Sequence, residues 1–144
     1  TFTSLAERFG LDPKKLHLEI TETVVMNDAV ENINTINRLR EYGFIVEMDD
    51  FGSGYSSLNM LRDMPVDVLK IDMAFLGKTS QPKKAELILN NIITLAHQLN
   101  MLSIAEGVEM ENQLEMLKQM GCNVFQGYYF AKPMPLEDFE KLAA

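Results

Sequence analysis

The feature that most constrains this chain is a strand-like segment followed by a helix-like segment, repeated five times. The strand-like segments are short and apolar, or alternate apolar with polar residues. They are predicted at residues 16–21, 44–48, 66–72, 101–105 and 123–125. Because strands separated by helices pair in parallel, the sequence predicts an α/β fold made of parallel βα units.

The intervening segments carry apolar residues at helical spacing, and glycine or proline marks several of their ends. The first helix is predicted to begin near residue 28 and to end before Gly43. A short helix is predicted at 56–64, a long helix begins near Pro82, and two more are predicted at 110–120 and 136–143. Five such units fit an open doubly wound sheet within 144 residues. An eight-stranded barrel takes about 250 residues. Composition and the spacing of apolar residues therefore do not distinguish a complete open sheet from part of a barrel.

Charge and cysteine content narrow the functional classes. The chain has a formal net charge of −8 and its longest basic runs are pairs, which argues against DNA or RNA binding through phosphates. No apolar run approaches the roughly 20 residues that span a bilayer, and no signal peptide is visible, so no membrane contact is expected from this segment. The lone Cys122 suits a reducing compartment, and a cytoplasmic location is expected, with tethering through other regions of a parent protein left open.

Polar side chains gather where the predicted strands end. They are Glu19, Glu22, Asp49, Asp50, Lys70, Asp72, Glu106, Glu109 and Gln126. Ligands of parallel βα folds bind at the carboxyl ends of the strands, and clustered carboxylates there would be stabilised by divalent cations. Each acid taken alone also fits an ordinary turn or capping role, but the recurrence at five strand ends favours a site. Lys70 lies within an apolar strand, where a lysine needs partners.

Other candidate motifs are weaker. The segment 52–54 places two glycines between a strand and a helix, but Ser57 stands where a dinucleotide-binding fingerprint needs its third glycine. His17 and His97 have no partner at metal-ligand spacing and are interpreted as structural or solvated. Cys122 is interpreted as a small buried hydrophobe.

Together these residues resemble the carboxyl-terminal part of EAL domains, the bacterial phosphodiesterases that cleave cyclic di-GMP to the linear dinucleotide. The similar segments are residues 19–22 (EITE), 49–58 (DDFGSGYSSL), 70–72 (KID), 105–109 (AEGVE) and 126–128 (QGY). Ser53 stands where the family usually has threonine. The order and spacing of these segments agree across essentially the whole chain.

The resemblance implies part of a TIM-type barrel, with about five of the eight strands present. The Glu-Ala-Leu signature and the asparagine that follows it in the family are absent, so residues 1–144 are interpreted as a partial EAL domain. The unpaired edges of a partial barrel are liable to pair with another chain, so we expect a homodimer or a strand-exchanged oligomer. The alternatives are an amino-terminal piece that is lost or separately supplied, and poor stability. Residues 56–64 are the candidate dimer surface by the same resemblance.

The resemblance also implies roles for individual residues around two Mg²⁺ or Mn²⁺ ions. Glu19, Asp49, Asp50 and Glu106 would be metal ligands, with Asp49 bridging both ions. Lys70, Glu106 and Gln126 would be catalytic, Lys70 by orienting the attacking water or the phosphate and Gln126 by supporting the second metal or its water. Glu22 would hold the loop of residues 50–55 in place, and Pro133 would lie in a substrate-binding loop.

The expected function is therefore metal-dependent hydrolysis of cyclic di-GMP by a two-metal mechanism, with this chain an incomplete catalytic domain. One alternative is a receptor of the same family that binds the dinucleotide without cleaving it, which the missing ligands favour. Another is a protein-interaction module that binds no nucleotide. Product formation separates the first from the others, and nucleotide binding separates the second from the third.

Overall fold

A computed structural model describes residues 1–21, 29–51, 58–77 and 80–143 of the chain. Five strands form one sheet. They are β1 (His17–Thr21), β2 (Ile45–Phe51), β3 (Val68–Asp72), β4 (Leu102–Glu106) and β5 (Val124–Gln126). Every neighbouring pair is parallel, and the order in the sheet is β1-β2-β3-β4-β5. The five predicted parallel strands are confirmed.

Within the described residues, six α-helices accompany the sheet. They are α1 (Phe2–Phe9), α2 (Ala29–Tyr42), α3 (Leu58–Asp63), α4 (Pro82–Gln98), α5 (Glu111–Gln119) and α6 (Leu136–Ala143). Short 3₁₀ turns lie at Pro13–Lys15 and Met73–Leu76. The helix predicted at 136–143 is confirmed, whereas α1 has no counterpart in the prediction. In the described part of the chain, no helix combines the length and apolar character needed to cross a bilayer.

The sequential strand order decides between the two architectures that the sequence left open. A doubly wound sheet reverses its strand order at a switch point, where helices move to the other face. Here each strand pairs with the next strand along the chain. Because parallel crossovers are right-handed, sequential order keeps the connecting helices on one side of the sheet, as in a barrel.

One face of the sheet, the helix-covered face, forms the core. Alternating residues of β2, β3 and β4 point to this face and are almost fully buried. The strands contribute Val46, Met48, Leu69, Ile71 and Ala105, and the helices contribute Ile36, Leu89, Ile93, Leu114 and Leu117. Apolar patterning predicts this packing for the strands. In α4 the buried face is instead formed by Leu89, Ile93 and Ala96, and the apolar residues Leu87 and Ile88 are exposed.

The opposite face, here the inner face, is polar and more open. Register and alternation place on it the residues His17, Glu19, Thr21, Ile45, Glu47, Asp49, Val68, Lys70, Asp72, Leu102, Ile104, Glu106, Val124 and Gln126. Leu102 and Val124 are 52% and 45% exposed there. The inner face therefore carries the polar strand ends that the sequence singled out.

Candidate functional site

Lys70 lies at the centre of the inner face and connects three other strands. It is 5% exposed, near the carboxyl end of β3. Its Nζ lies 2.5 Å from Glu19 Oε1, 3.2 Å from Asp49 Oδ1 and 2.9 Å from Glu106 Oε1. The parallel register explains the convergence. Strands β2 and β4 flank β3, β1 lies beyond β2, and the carboxyl ends of all four lie at the same end of the sheet.

The charge of Lys70 is fixed by these partners. Burial alone would lower the pKa of its ammonium group. Hydrogen bonds to Glu19, Glu106 and Asp49, together with the charge of Glu106, outweigh burial and raise the pKa above its ordinary value. These contacts therefore favour the protonated ammonium, which acts as a hydrogen-bond donor in this arrangement.

Strand β2 reaches the site through an irregularity at its end. Met48 pairs with Leu69 and Phe51 pairs with Ile71, so the register shifts between Met48 and Phe51. Asp50 has a φ of 58°, a left-handed conformation that aspartate tolerates better than most residues. The prediction ended this strand at residue 48, whereas the bulge carries it through two consecutive aspartates to Phe51.

The ends of β4 and β5 are held together tightly. Glu106 pairs in register with Gln126, and the Val108 N–H donates to the Gln126 carbonyl at 3.0 Å. The Tyr129 N–H returns a bond to the Val108 carbonyl at 2.9 Å. A Cβ at Gly127 would lie 2.3 Å from the Val108 nitrogen, so this close approach requires glycine.

Gln126 and Pro133 share a pocket beside the carboxylate cluster. The pocket has a volume of about 440 Å³ and is also lined by Tyr128, Lys132 and Phe139. The Lys132 ammonium lies 5.5 Å from the centre of the Tyr128 ring. The two residues predicted as catalytic and substrate-binding thus lie in one exposed depression at the carboxyl end of β5.

The structure brings some predicted residues together and leaves others apart. Glu19, Asp49, Lys70 and Glu106 meet as predicted from their strand-end positions. Asp50 is exposed, and the described ion pairs of Lys70 do not include it. Glu22 and most of the predicted loop of residues 50–55 lie outside the described residues, as does part of the predicted dimer surface.

One pair on the inner face escaped the sequence analysis. The His17 Nδ1 atom contacts the Glu47 Oε1 atom, and Glu47 is 4% exposed. Counting two residues back from Glu19 and from Asp49 reaches these positions, because alternate strand residues share a face. The available signal was a glutamate inside the apolar run of residues 44–48.

The donor chemistry of the cluster fits a hard divalent cation. Carboxylate oxygens are the ligands that Mg²⁺ and Mn²⁺ prefer, and three of them already surround one positive charge. In the described part of the chain, no three metal-binding side chains are arranged to hold an ion as they stand. The carboxylates close on the Lys70 ammonium, so a metal would have to share or replace these contacts.

Comparison with known proteins identifies the family. Residues 1–133 match the family described as EAL domain. The chain belongs to the EAL domain family. Structures of this family superpose on it across most of its length, which confirms that the five strands form part of a TIM-type barrel.

Three relatives illustrate the match. Cyclic di-GMP phosphodiesterase NbdA of Pseudomonas aeruginosa is 40% identical over 135 residues, which are 94% of this chain and 17% of NbdA. The structure of PaMucR phosphodiesterase in complex with c-di-GMP is 38% identical with a TM-score of 0.85, covering 94% of this chain and 55% of that one. The manganese and cyclic di-GMP complex of Klebsiella pneumoniae BlrP1 is 28% identical with a TM-score of 0.83, covering 92% and 34%. The chain therefore spans less than a fifth of NbdA and about half of the PaMucR chain.

Proposed function

We propose that this chain forms part of a phosphodiesterase domain that hydrolyses cyclic di-GMP to the linear dinucleotide. The observation that carries the proposal is the convergence of Glu19, Asp49 and Glu106 on Lys70 at the carboxyl end of the sheet. The naming of the relative NbdA as a cyclic di-GMP phosphodiesterase supports the substrate.

The carboxylates Glu19, Asp49, Asp50 and Glu106 would hold two divalent cations, with Asp49 shared between them. Manganese in the BlrP1 complex supports this choice of ion. When bound, two such ions supply a hydroxide nucleophile and neutralise the attacking and leaving oxygens of an in-line displacement. The acidic site also needs this charge to accept a phosphodiester.

The chain's own residues would position the substrate and the water. The Lys70 ammonium group lies among the carboxylates and would donate a hydrogen bond to a phosphate oxygen or to the attacking water. The Gln126 amide can donate to or accept from a water beside Glu106, its partner in register. Pro133 would shape the pocket next to Gln126 against the dinucleotide. Glu22 would steady the loop that follows Asp50.

The 144 residues would supply about five of the eight βα units of the catalytic domain. Leu102 and Val124 are exposed on the inner face. This exposure supports the presence of further strands in the complete domain, because such side chains are buried inside a closed barrel. The outer edges of β1 and β5 would pair either with other strands of the domain or with a second copy, giving a homodimer or strand-exchanged oligomer. A buried, unpaired Cys122 supports a reducing, cytoplasmic setting.

The test is cyclic di-GMP hydrolysis by the protein at its full natural length, with Mg²⁺ or Mn²⁺ and chromatographic resolution of the linear product. We expect Asp49→Asn to abolish metal-dependent turnover. The matched control is Glu115→Gln, which also removes one carboxylate charge, because Glu115 pairs with Lys118 on α5 and faces solvent. Full activity in Asp49→Asn would exclude the two-metal assignment.

A second candidate is a receptor that binds cyclic di-GMP without cleaving it. This candidate is favoured because the carboxylates contact the Lys70 ammonium group. Among the described residues, no group of three metal-binding side chains is arranged around a metal position. This candidate predicts metal-independent binding of the intact dinucleotide and no linear product. Calorimetry with and without EDTA, followed by analysis of the nucleotide, separates the two functions.

A further inference from the structure

An ion pair outside the proposed catalytic set lies on the inner face. The Glu47 side chain is 5% exposed and contacts the ring of His17, which is 48% exposed. A buried carboxylate is costly unless it is paired, so Glu47 strongly constrains where the His17 ring lies. The pair therefore joins β1 to β2 through their side chains as well as through the backbone.

The His17–Glu47 pair lies close enough to the carboxylate cluster to affect its geometry. His17 is level with Ile45 in the register, so its contact with Glu47 runs diagonally from β1 to β2. Glu19 and Asp49 follow two residues later on the same strands and the same face. The pair thus lies directly beneath two of the carboxylates that contact Lys70.

Strand β1 carries Glu19, and among the described strands it pairs with β2. The Glu19 side chain is 52% exposed, and its ion pair is with Lys70. The position of Glu19 relative to Asp49 therefore depends on how firmly β1 is fixed to β2.

We propose that His17 is a positioning residue for Glu19. By holding the buried Glu47 carboxylate, it fixes β1 against β2 and keeps Glu19 facing Asp49. The inference rests on the proposed function, in which Glu19 is a metal ligand, and adds a residue that acts on the metal site without touching it.

The test is the affinity for Mn²⁺ of the full-length protein, measured from the electron paramagnetic resonance signal of free Mn²⁺. His17→Leu is expected to weaken binding roughly 10-fold, the lower end of what loss of an outer-sphere partner causes in metal sites. His17→Gln keeps a donor for Glu47 and is expected to retain the wild-type affinity. Arg40→Gln is the matched control, because it breaks the 2.7 Å Arg40–Asp67 pair outside the inner face and should leave Mn²⁺ binding unchanged.

A Glu19→Gln background distinguishes positioning from general loosening of the fold. If His17 acts through Glu19, His17→Leu causes no further loss of affinity once Glu19→Gln is present. An equal loss in both backgrounds, or no loss from His17→Leu alone, overturns the inference and leaves the proposed function intact. If Glu19→Gln itself leaves Mn²⁺ binding unchanged, the metal role of Glu19 fails and the inference fails with it.

A second variant covers the case in which His17→Leu does not fold. His17→Ala combined with Glu47→Ala leaves no buried charge without a partner and also removes the contact between the strands. The same roughly 10-fold loss is expected from this double variant. Wild-type affinity in a folded double variant would overturn the inference.

Discussion

The two faces of the sheet are stabilised by different interactions although they share the same strands. The helix-covered face consists of apolar side chains packed against helices, with Val46, Met48 and Leu69 fully buried. The inner face instead carries charges that depend on one another, centred on Lys70. Neighbouring residues of one strand thus contribute either to stability through burial or to a polar site through charge.

Neighbouring residues of β3 offer the strongest test of this difference. Leu69→Ala should lower the free energy of unfolding by about 2–5 kcal/mol, because it opens a cavity in a packed core. Lys70→Met should cost about 3 kcal/mol, because it leaves three carboxylates facing one another without their cation. Urea unfolding with and without Mn²⁺ should show that the ion restores part of the loss in Lys70→Met. It should give no extra benefit to Leu69→Ala, and an equal response of the two variants would contradict the division between the faces.

The bulge in β2 provides the next prediction, because it is where the inner face departs from regular strand geometry. Asp50→Val should cost about 2–3 kcal/mol, since a β-branched residue is strained at a φ of 58°. Asp50→Asn tolerates the same backbone and removes only the charge, so its stability should be close to wild type. Thermal unfolding of the two variants measures the strain, and equal melting temperatures would show that the bulge does not impose it.

The helix-covered face also contains a polar cluster, formed by His97, Ser103 and Asn123, which differs from the apolar packing around it. Asn123 Oδ1 accepts from the Ser103 N–H at 2.9 Å and contacts His97 Nε2 at 2.9 Å. Asn123→Ala should cost about 1–2 kcal/mol, because the buried Ser103 amide loses its partner. Asn112→Ala, at an exposed position in α5, is the control for a chemical unfolding experiment. Equal stability of the two variants would show that the cluster adds nothing to this face.

The smallest expected effect concerns Cys122, which is buried at the edge of the same cluster. Burial raises the pKa of its thiol, so the folded protein keeps this proton at pH values where the unfolded chain loses it. Stability should therefore fall as the pH rises above the unfolded thiol pKa of about 8.5, by about 1 kcal/mol over one unit. Cys122→Ala should lack this component when unfolding is followed from pH 7.5 to 9.5, and identical slopes would contradict it.

These two faces also differ in how well the sequence predicts them. The helix-covered face follows largely from the apolar patterning of the strands, which is a local property, and the five strands were predicted from it. The convergence of Glu19, Asp49, Lys70 and Glu106 followed from their strand-end positions, because parallel strands end at one edge. Both predictions needed only the order of elements along the chain.

The features that sequence analysis missed depend on pairing between strands. The bulge at Asp50 arises from the register between β2 and β3, and no local pattern specifies that register. The pairing of His17 with Glu47 joins residues 30 positions apart, and each residue alone fits an ordinary surface position. Helix α1 lies before the first strand, outside the repeated strand–helix pattern that guided the assignment.

The close contact between Gly127 and Val108 has a consequence for recognising distant relatives. In β5, Val124 and Gln126 are exposed whereas Phe125 packs against the core, so replacements at 124 and 126 would disturb the packing least. Position 127 admits no side chain at all, because the Val108 backbone already fills the space. A library randomised across residues 124–128 and selected for folding should return glycine at 127, apolar residues at 125 and diversity at the other positions. That single position then becomes an inexpensive marker for deciding whether a divergent sequence still joins its last two strand ends in this way.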